Sequence, residues 1–176
     1  MLAGVNILLR EPRDEDLPCL VEWRNDVPLQ TQLLAIPRPN SPSRVRDWLA
    51  KRSDDPQAVF FIIADRETDT AQGYIQAVRL DFTHGTGELG ICLQADAQGK
   101  GYASEAVQLL ESYLVDRFRI RKLTLQVLAK NLRALRFYEK QGYQRVGTLK
   151  EQFYADGSWH DVVIMEKFIA SREAAA

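Results

Sequence analysis

The sequence predicts an α/β (α+β) protein with a mixed, mostly antiparallel sheet flanked by helices. Three observations carry that prediction. Ala58-Val59-Phe60-Phe61-Ile62-Ile63-Ala64 is a continuous apolar run, and Gly73–Leu80 and Glu88–Leu93 follow it across short polar turns, the pattern of an antiparallel meander. The last of these breaks into Gln98-Gly99-Lys100-Gly101 and resumes from about Tyr102 as a helix, with Ala103, Ala106, Val107, Leu110, Tyr113 and Leu114 on one face. Leu123–Leu128 returns as a strand. Strand, helix and strand make a crossover, so 88–93 and 123–128 should run parallel.

The remaining elements follow the same logic. Asn6–Arg10 reads as an opening strand, ended by Glu11-Pro12. Asp14, Glu15 and Asp16 supply the carboxylates that a helix N-terminus favours, and Leu17, Leu20 and Val21 give the helix a buried stripe ending near Asn25-Asp26. Four prolines between Pro28 and Pro42 argue against a long regular element, and a loop of that length is more often functional than idle. Ser43 is the expected N-cap of a short helix through Trp48, Leu49 and Lys51. Asn131 caps a second helix with Leu132, Leu135 and Tyr138 expected on one face, and Gly142 stops it. Tyr143–Phe153 and Trp159–Phe168 read as two strands joined through Asp156-Gly157, a hairpin signal.

A chain of 176 residues with 45% hydrophobic and 27% charged residues suits one folded domain, expected over 1–170 with a disordered tail over 171–176. The formal net charge of -1 gives no pull towards nucleic acid or anionic lipid, and no apolar run approaches a membrane span of roughly 18 residues. Met1–Arg10 lacks the basic start and apolar core of a signal peptide. Cys19 and Cys92 fit no metal-ligand spacing and read as free thiols of a reducing cytoplasm. The expected setting is cytoplasmic, with no metal, nucleic-acid or membrane partner.

The Gly-Lys-Gly turn carries the chemistry. The first N–H groups of a helix lack internal partners and sit at the positive end of its dipole, so they bind anions. Gly99 and Gly101 let the backbone approach closely, and Lys100 adds a charge, unless it is only a solvated surface residue. A magnesium-triphosphate loop needs Ser or Thr directly after its Gly-Lys pair, where Gly101 stands, followed by Tyr102. A dinucleotide fingerprint needs a third glycine, where Ser104 stands, and an acidic residue after the next strand, where Ala129-Lys130 stand.

The third reading rests on resemblance. Gln98-Gly99-Lys100-Gly101-Tyr102-Ala103 resembles the Gln/Arg-x-x-Gly-x-Gly/Ala turn of the GNAT superfamily of acyl-CoA-dependent N-acyltransferases. Asn131-Leu132-Arg133-Ala134-Leu135-Arg136-Phe137-Tyr138-Glu139-Lys140-Gln141-Gly142-Tyr143 resembles its second signature. The run Gly147-x-Leu149 … Asp156-Gly157 … Asp161 … Met165 is similar to the branch acting on ribosomal-protein alanine, polyamines and nucleotide-linked amino sugars. The likeness spans nearly the whole chain, loosest between Pro28 and Pro56.

The resemblance implies acetyl-CoA as co-substrate, no metal, and strands 88–93 and 123–128 splayed apart. Ile91, Cys92 and Leu93 are the matching positions for the pantetheine arm and for a backbone N–H towards the thioester oxyanion. Gln98, Gly99, Lys100, Gly101, Tyr102 and Ala103 match the pyrophosphate turn, and Asn131 faces the same arm. Tyr138 matches the acid that protonates the departing thiolate, although helix spacing alone explains it as a core residue. Glu88 is the candidate base for the substrate ammonium through water, facing opposite to Leu89, Ile91 and Leu93, with a solvated strand-end carboxylate as the plainer account. His84 and His160 are lesser candidates. An acyl-Cys92 intermediate has no histidine at a recognisable spacing, and the family uses direct attack in a ternary complex.

The acceptor is less legible. Trp23-Arg24-Asn25-Asp26 resembles the corresponding stretch of nucleotide-amino-sugar and protein N-terminal acetyltransferases, and Arg24 either meets a phosphate or caps helix carbonyls. A polyamine would favour an acidic pocket. The acceptor is thus an amino sugar, a protein N-terminus or a small amine, and a homodimer is a family-level expectation. A non-catalytic acyl-CoA-binding module on the same fold is the alternative class.

Overall fold

The computed structural model describes residues 1–170, so the 171–176 tail expected to be disordered lies outside the described residues. Eight strands form one sheet: β1 (Leu2–Ala3), β2 (Ile7–Arg10), β3 (Val59–Asp65), β4 (Ala71–Asp81), β5 (Thr86–Leu93), β6 (Lys122–Leu128), β7 (Gln144–Ala155) and β8 (Ser158–Phe168). Five helices accompany them: α1 (Leu17–Asn25), α2 (Val27–Gln32), α3 (Pro42–Ser53), α4 (Tyr102–Phe118) and α5 (Leu132–Lys140). The strand order is β1-β2-β3-β4-β5-β6-β8-β7, antiparallel throughout except for β5 and β6, which run parallel as the crossover requires.

Each sheet face has its own core because strand residues alternate. On one side Leu89, Ala106, Val107, Leu110, Leu114, Leu125, Leu135 and Tyr138 join α4 and α5 to the sheet. On the other Leu17, Leu20, Trp23, Val45, Ile62, Tyr74 and Cys92 join α1 and α3 to it. The start of α1 is tied to the strands by Arg10, which is only 2% exposed. Its guanidinium grips Asp16 in a two-bond fork at 2.7 and 2.8 Å, and its Nε donates to Asp69 at 2.7 Å.

Local corrections to the sequence reading have simple causes. Leu2–Ala3 folds back on β2 as a short extra strand that two residues could not signal. Ser41, not Ser43, caps α3: Pro42 takes the first turn, and Ser41 Oγ accepts from Arg44 N at 3.3 Å while Ser43 Oγ pairs with Ser41 Oγ. The proline-rich segment opens with a six-residue helix, because Asp26 caps Leu29 N at 2.9 Å and Pro28 falls in the first turn, where no N–H is needed. The β7–β8 turn has Asp156 at φ +51° and Gly157 at φ +78°, the paired positive angles of a two-residue hairpin.

Candidate functional site

The site begins where β5 and β6 part. They pair only at Thr86, Gly87 and Glu88, opposite Lys122, Leu123 and Thr124. Thr124 Oγ1 adds a hydrogen bond to Gly87 O at 3.3 Å. Beyond that point β5 stays with β4 through Leu93, and β6 stays with β8 through Leu128. The inner edge of residues 89–93 is left without a strand partner. The cleft there has a volume of about 1140 Å³ and is lined by the strand run Glu88–Leu93, by Gln98, Gly99, Gly101 and Ala103, and by Asn131 and Tyr138.

The glycine turn forms one end of the cleft. Gly99 and Gly101 have φ of +83° and +84°, and a Cβ at either would meet nothing within 4 Å. Glycine is therefore needed there for backbone angle rather than for space. Gln98 spans the turn: its Nε2 donates to Leu93 O at 3.2 Å, and its Oε1 accepts from Arg133 Nη1 at 2.5 Å. Arg133 lines the cleft and brings a second cation to the turn, which the sequence reading did not single out. Its place two residues after the capping Asn131 was the available signal.

Two residues of the turn do not bring their side chains to the cleft. Lys100 is exposed and outside the lining. Tyr102 turns into the fold, where its hydroxyl donates to Asp65 Oδ2 at 2.5 Å. Only its backbone can face an anion.

The wall across from β5 is the start of α5. Asn131 Oδ1 accepts from Ala134 N at 3.1 Å, so the cap is real, and its side-chain nitrogen makes no hydrogen bond among the described residues. Tyr138 is 8% exposed, packs edge-on against Tyr143 at 5.7 Å between centroids, and lines the cleft. Its hydroxyl has no hydrogen-bond partner among the described residues, and burial alone pushes its pKa up, keeping the phenol neutral.

On the other face of β5, Glu88 lies opposite to Leu89, Ile91 and Leu93, as strand alternation requires. Its carboxylate pairs with Arg79, which occupies a bulge of β4 at φ +51°. Cys92 shares that face but is 1% exposed beside Tyr74, and burial pushes its thiol up to about 12. A neutral thiol is a poor nucleophile. His84 stands in the β4–β5 turn near Asp81, and His160 contacts Lys130, Ser158 and Ala155 on the hairpin; neither lines the cleft. Among the described residues no group of three His, Cys, Asp or Glu could hold a metal, and no helix is long and apolar enough to cross a membrane.

The cleft is also lined by Glu22 from α1, by Asp26 between the helices, by Leu29 and Gln32 from α2, and by Gln76 and Arg79 from β4; of these the sequence reading had set only Asp26 against the acceptor. Only the chain fold brings these segments together.

The model of the acetyltransferase (GNAT) domain matches residues 6–144, which include the glycine turn, the splay and Tyr138. The chain belongs to the GNAT acetyltransferase family. As a member it is an enzyme, an acetyl-CoA-dependent N-acetyltransferase. It is 25% identical over 117 residues to the spermidine N(1)-acetyltransferase of Vibrio cholerae, covering 64% of this chain and 67% of that protein. It is 29% identical over 159 residues to the uncharacterized N-acetyltransferase p20 of Bacillus licheniformis, covering 89% of each. The crystal structure of spermidine N-acetyltransferase from Vibrio cholerae in complex with CoA and spermine has the same fold, with a TM-score of 0.86 and 22% identity over 94% of this chain and 96% of that one.

Proposed function

We propose that this GNAT enzyme transfers the acetyl group of acetyl-CoA to an aliphatic primary amine, with a polyamine as the acceptor class, by direct attack in a ternary complex. The observation that carries the reading is the splay after Glu88–Thr124, with a cleft lined both by the glycine turn and by the carboxylates of Glu22, Asp26 and Glu88. The pyrophosphate lies on the N–H groups of the turn, with Gln98, Gly99, Gly101 and Ala103 around it and Arg133 added. The pantetheine arm then runs as a strand in the gap, hydrogen-bonded by the backbone of Ile91, Cys92 and Leu93 and by Asn131. A β5 N–H polarises the thioester carbonyl and holds the oxyanion of the tetrahedral intermediate.

Tyr138 donates its proton to the departing thiolate. A phenol kept neutral by burial and free of other partners is available for that step. Glu88 takes the ammonium proton through water before attack, with Arg79 fixing its orientation. Direct attack is supported by Cys92, whose buried neutral thiol faces α1 rather than the gap. A polyamine is supported by the names of the relatives and by Glu22, Asp26 and Glu88 along the acceptor end, where carboxylates offset the charge of a polycation.

The test is thiol release from acetyl-CoA across a panel of spermidine, spermine, N-terminal peptides and sugar nucleotides, with mass spectrometry of the product. Spermidine or spermine turnover well above the rest is expected. Saturable coenzyme binding with no turnover for any amine contradicts the reading. Acetyl-CoA alone should leave no acetyl group on the protein by intact mass, and an acetylated Cys92 would contradict direct attack.

A further inference from the structure

A cluster of charge that the transfer reaction does not use lies between α1 and α3. Arg44, Trp48 and Arg52 are four residues apart on α3 and so form one stripe. Arg24, near the end of α1, lays its guanidinium over the middle of that stripe, with Cζ 4.4 Å from the Trp48 ring centroid. Trp48 packs edge-on against Phe60 at 5.4 Å and Tyr74 at 5.7 Å, so the platform is anchored in the sheet. Asn40 Nδ2 donates to Arg24 O at 3.0 Å and holds the helix end in place.

Arg44 and Arg52 thus flank, one helical turn on either side, the Trp48 ring that carries the Arg24 guanidinium. No carboxylate forms an ion pair with any of them among the described residues. Arg24 Nε is buried without a hydrogen-bond partner. Burial lowers the Arg24 pKa, and Arg52 and Arg44 press in the same direction against Tyr74 and Cys92. A half-buried cation with like-charged neighbours is unfavourable unless a counter-charge meets it. An anion held by the terminal nitrogens offsets the burial and the like-charge repulsion.

We propose that Arg24, Arg44 and Arg52 form a binding site for a phosphate-bearing anion, with Trp48 as its floor. Arginine forks match phosphate oxygens in two-bond geometry, and cation–ring stacking orients the Arg24 fork without consuming its terminal nitrogens. Arg44 and Arg52 rise on the order of 12 Å apart along α3, and their long side chains can close on a group wider than one phosphate. Glu22, Trp23 and Asp26, from the same end of α1, line the cleft, so the site adjoins the acceptor end. The phosphate is either carried by the acceptor or belongs to a separate small molecule. Anion binding at these arginines does not depend on which amine the cleft accepts.

Calorimetric titration of inorganic pyrophosphate into protein saturated with coenzyme A tests this, because the coenzyme already fills the glycine turn. At constant ionic strength one equivalent should bind, and affinity should fall at least about tenfold in Arg24→Gln and in Arg52→Gln. Arg117→Gln, on α4 across the sheet, should bind as the parent does. Arg52→Gln guards against a folding defect of Arg24→Gln, and circular dichroism checks both. No binding to the parent protein, or equal binding by both variants, overturns the proposal. Competition between pyrophosphate and the amine in initial rates would mark an acceptor-borne phosphate, and a non-competitive effect a separate anion. The binding readout needs no acetyl transfer, so its failure is distinct from failure of the acceptor reading.

Discussion

Glu88 and Thr124 are the last residues at which β5 and β6 remain in register, and the cleft opens immediately beyond them. The proposed base thus stands at the hinge of the splay, where the edge of β5 passes from a strand partner to the open cleft. Its carboxylate lies on the α1 side, with Arg79 from the bulge of β4. An exposed pair of this kind adds little stability, so its value lies in orientation.

Glu88→Gln should therefore leave the fold intact and reduce kcat/KM by about 10² or more, the usual contribution of a positioned base. The acid limb of the pH profile, where the parent loses rate as the carboxylate protonates, should disappear. An unchanged profile would remove Glu88 from the mechanism.

Tyr138→Phe removes a hydroxyl without a partner among the described residues, so thermal stability should change little. The expected loss is in kcat, by about 10², with KM for acetyl-CoA within a factor of about two because the ring is kept. Loss of coenzyme affinity at full kcat would reassign the residue to packing.

Arg133→Ala removes the cation that Gln98 holds against the glycine turn. A charge-assisted contact is worth about 1.5–3 kcal/mol, so coenzyme A should bind about tenfold more weakly or worse. The salt dependence of binding should flatten as well. Lys100→Ala should have the smaller effect, because Lys100 stands outside the cleft.

Tyr102 and Asp65 give a pH signature. The hydrogen bond from Tyr102, with backbone and side-chain bonds from Thr68 and a backbone bond from Glu67, lowers the Asp65 pKa from 3.8 to about 2. A depressed carboxylate contributes stability that is complete above its unfolded value and is lost as pH falls through about 2. Asp65 raises the Tyr102 pKa, so that contribution is complete below the ordinary value of 10.0 and is lost as pH rises through the raised one. Tyr102→Phe should lower the urea midpoint by a constant amount between about pH 5 and 9, and the gap should close towards pH 2. A gap that persists at pH 2 would place the effect in packing.

Much of the site was legible because its parts are local. The Gln98–Ala103 turn needs two residues at positive φ, and only glycine adopts that angle freely, so the chain prints it as Gly-x-Gly. Asn131, Leu135 and Tyr138 were legible for the same reason, since capping and helix spacing join neighbours in sequence. The acceptor end was not. Glu22, Gln32, Gln76 and Arg79 come from three segments with no common spacing, and a β4 bulge decides where Arg79 points. Lys100 stands between the two glycines in sequence, but it is exposed and outside the cleft lining.

By itself the sequence determined the strand and helix types, the parallel crossover, the glycine turn and the family, because periodicity, caps and glycine angles act over a few residues. Tertiary structure alone decided that β5 and β6 part after Glu88 and Thr124, that Cys92 is sealed beneath α1, and that Arg24 meets Trp48. Those outcomes depend on which faces of distant segments pack together, and a chain's local chemistry carries no spacing rule for that.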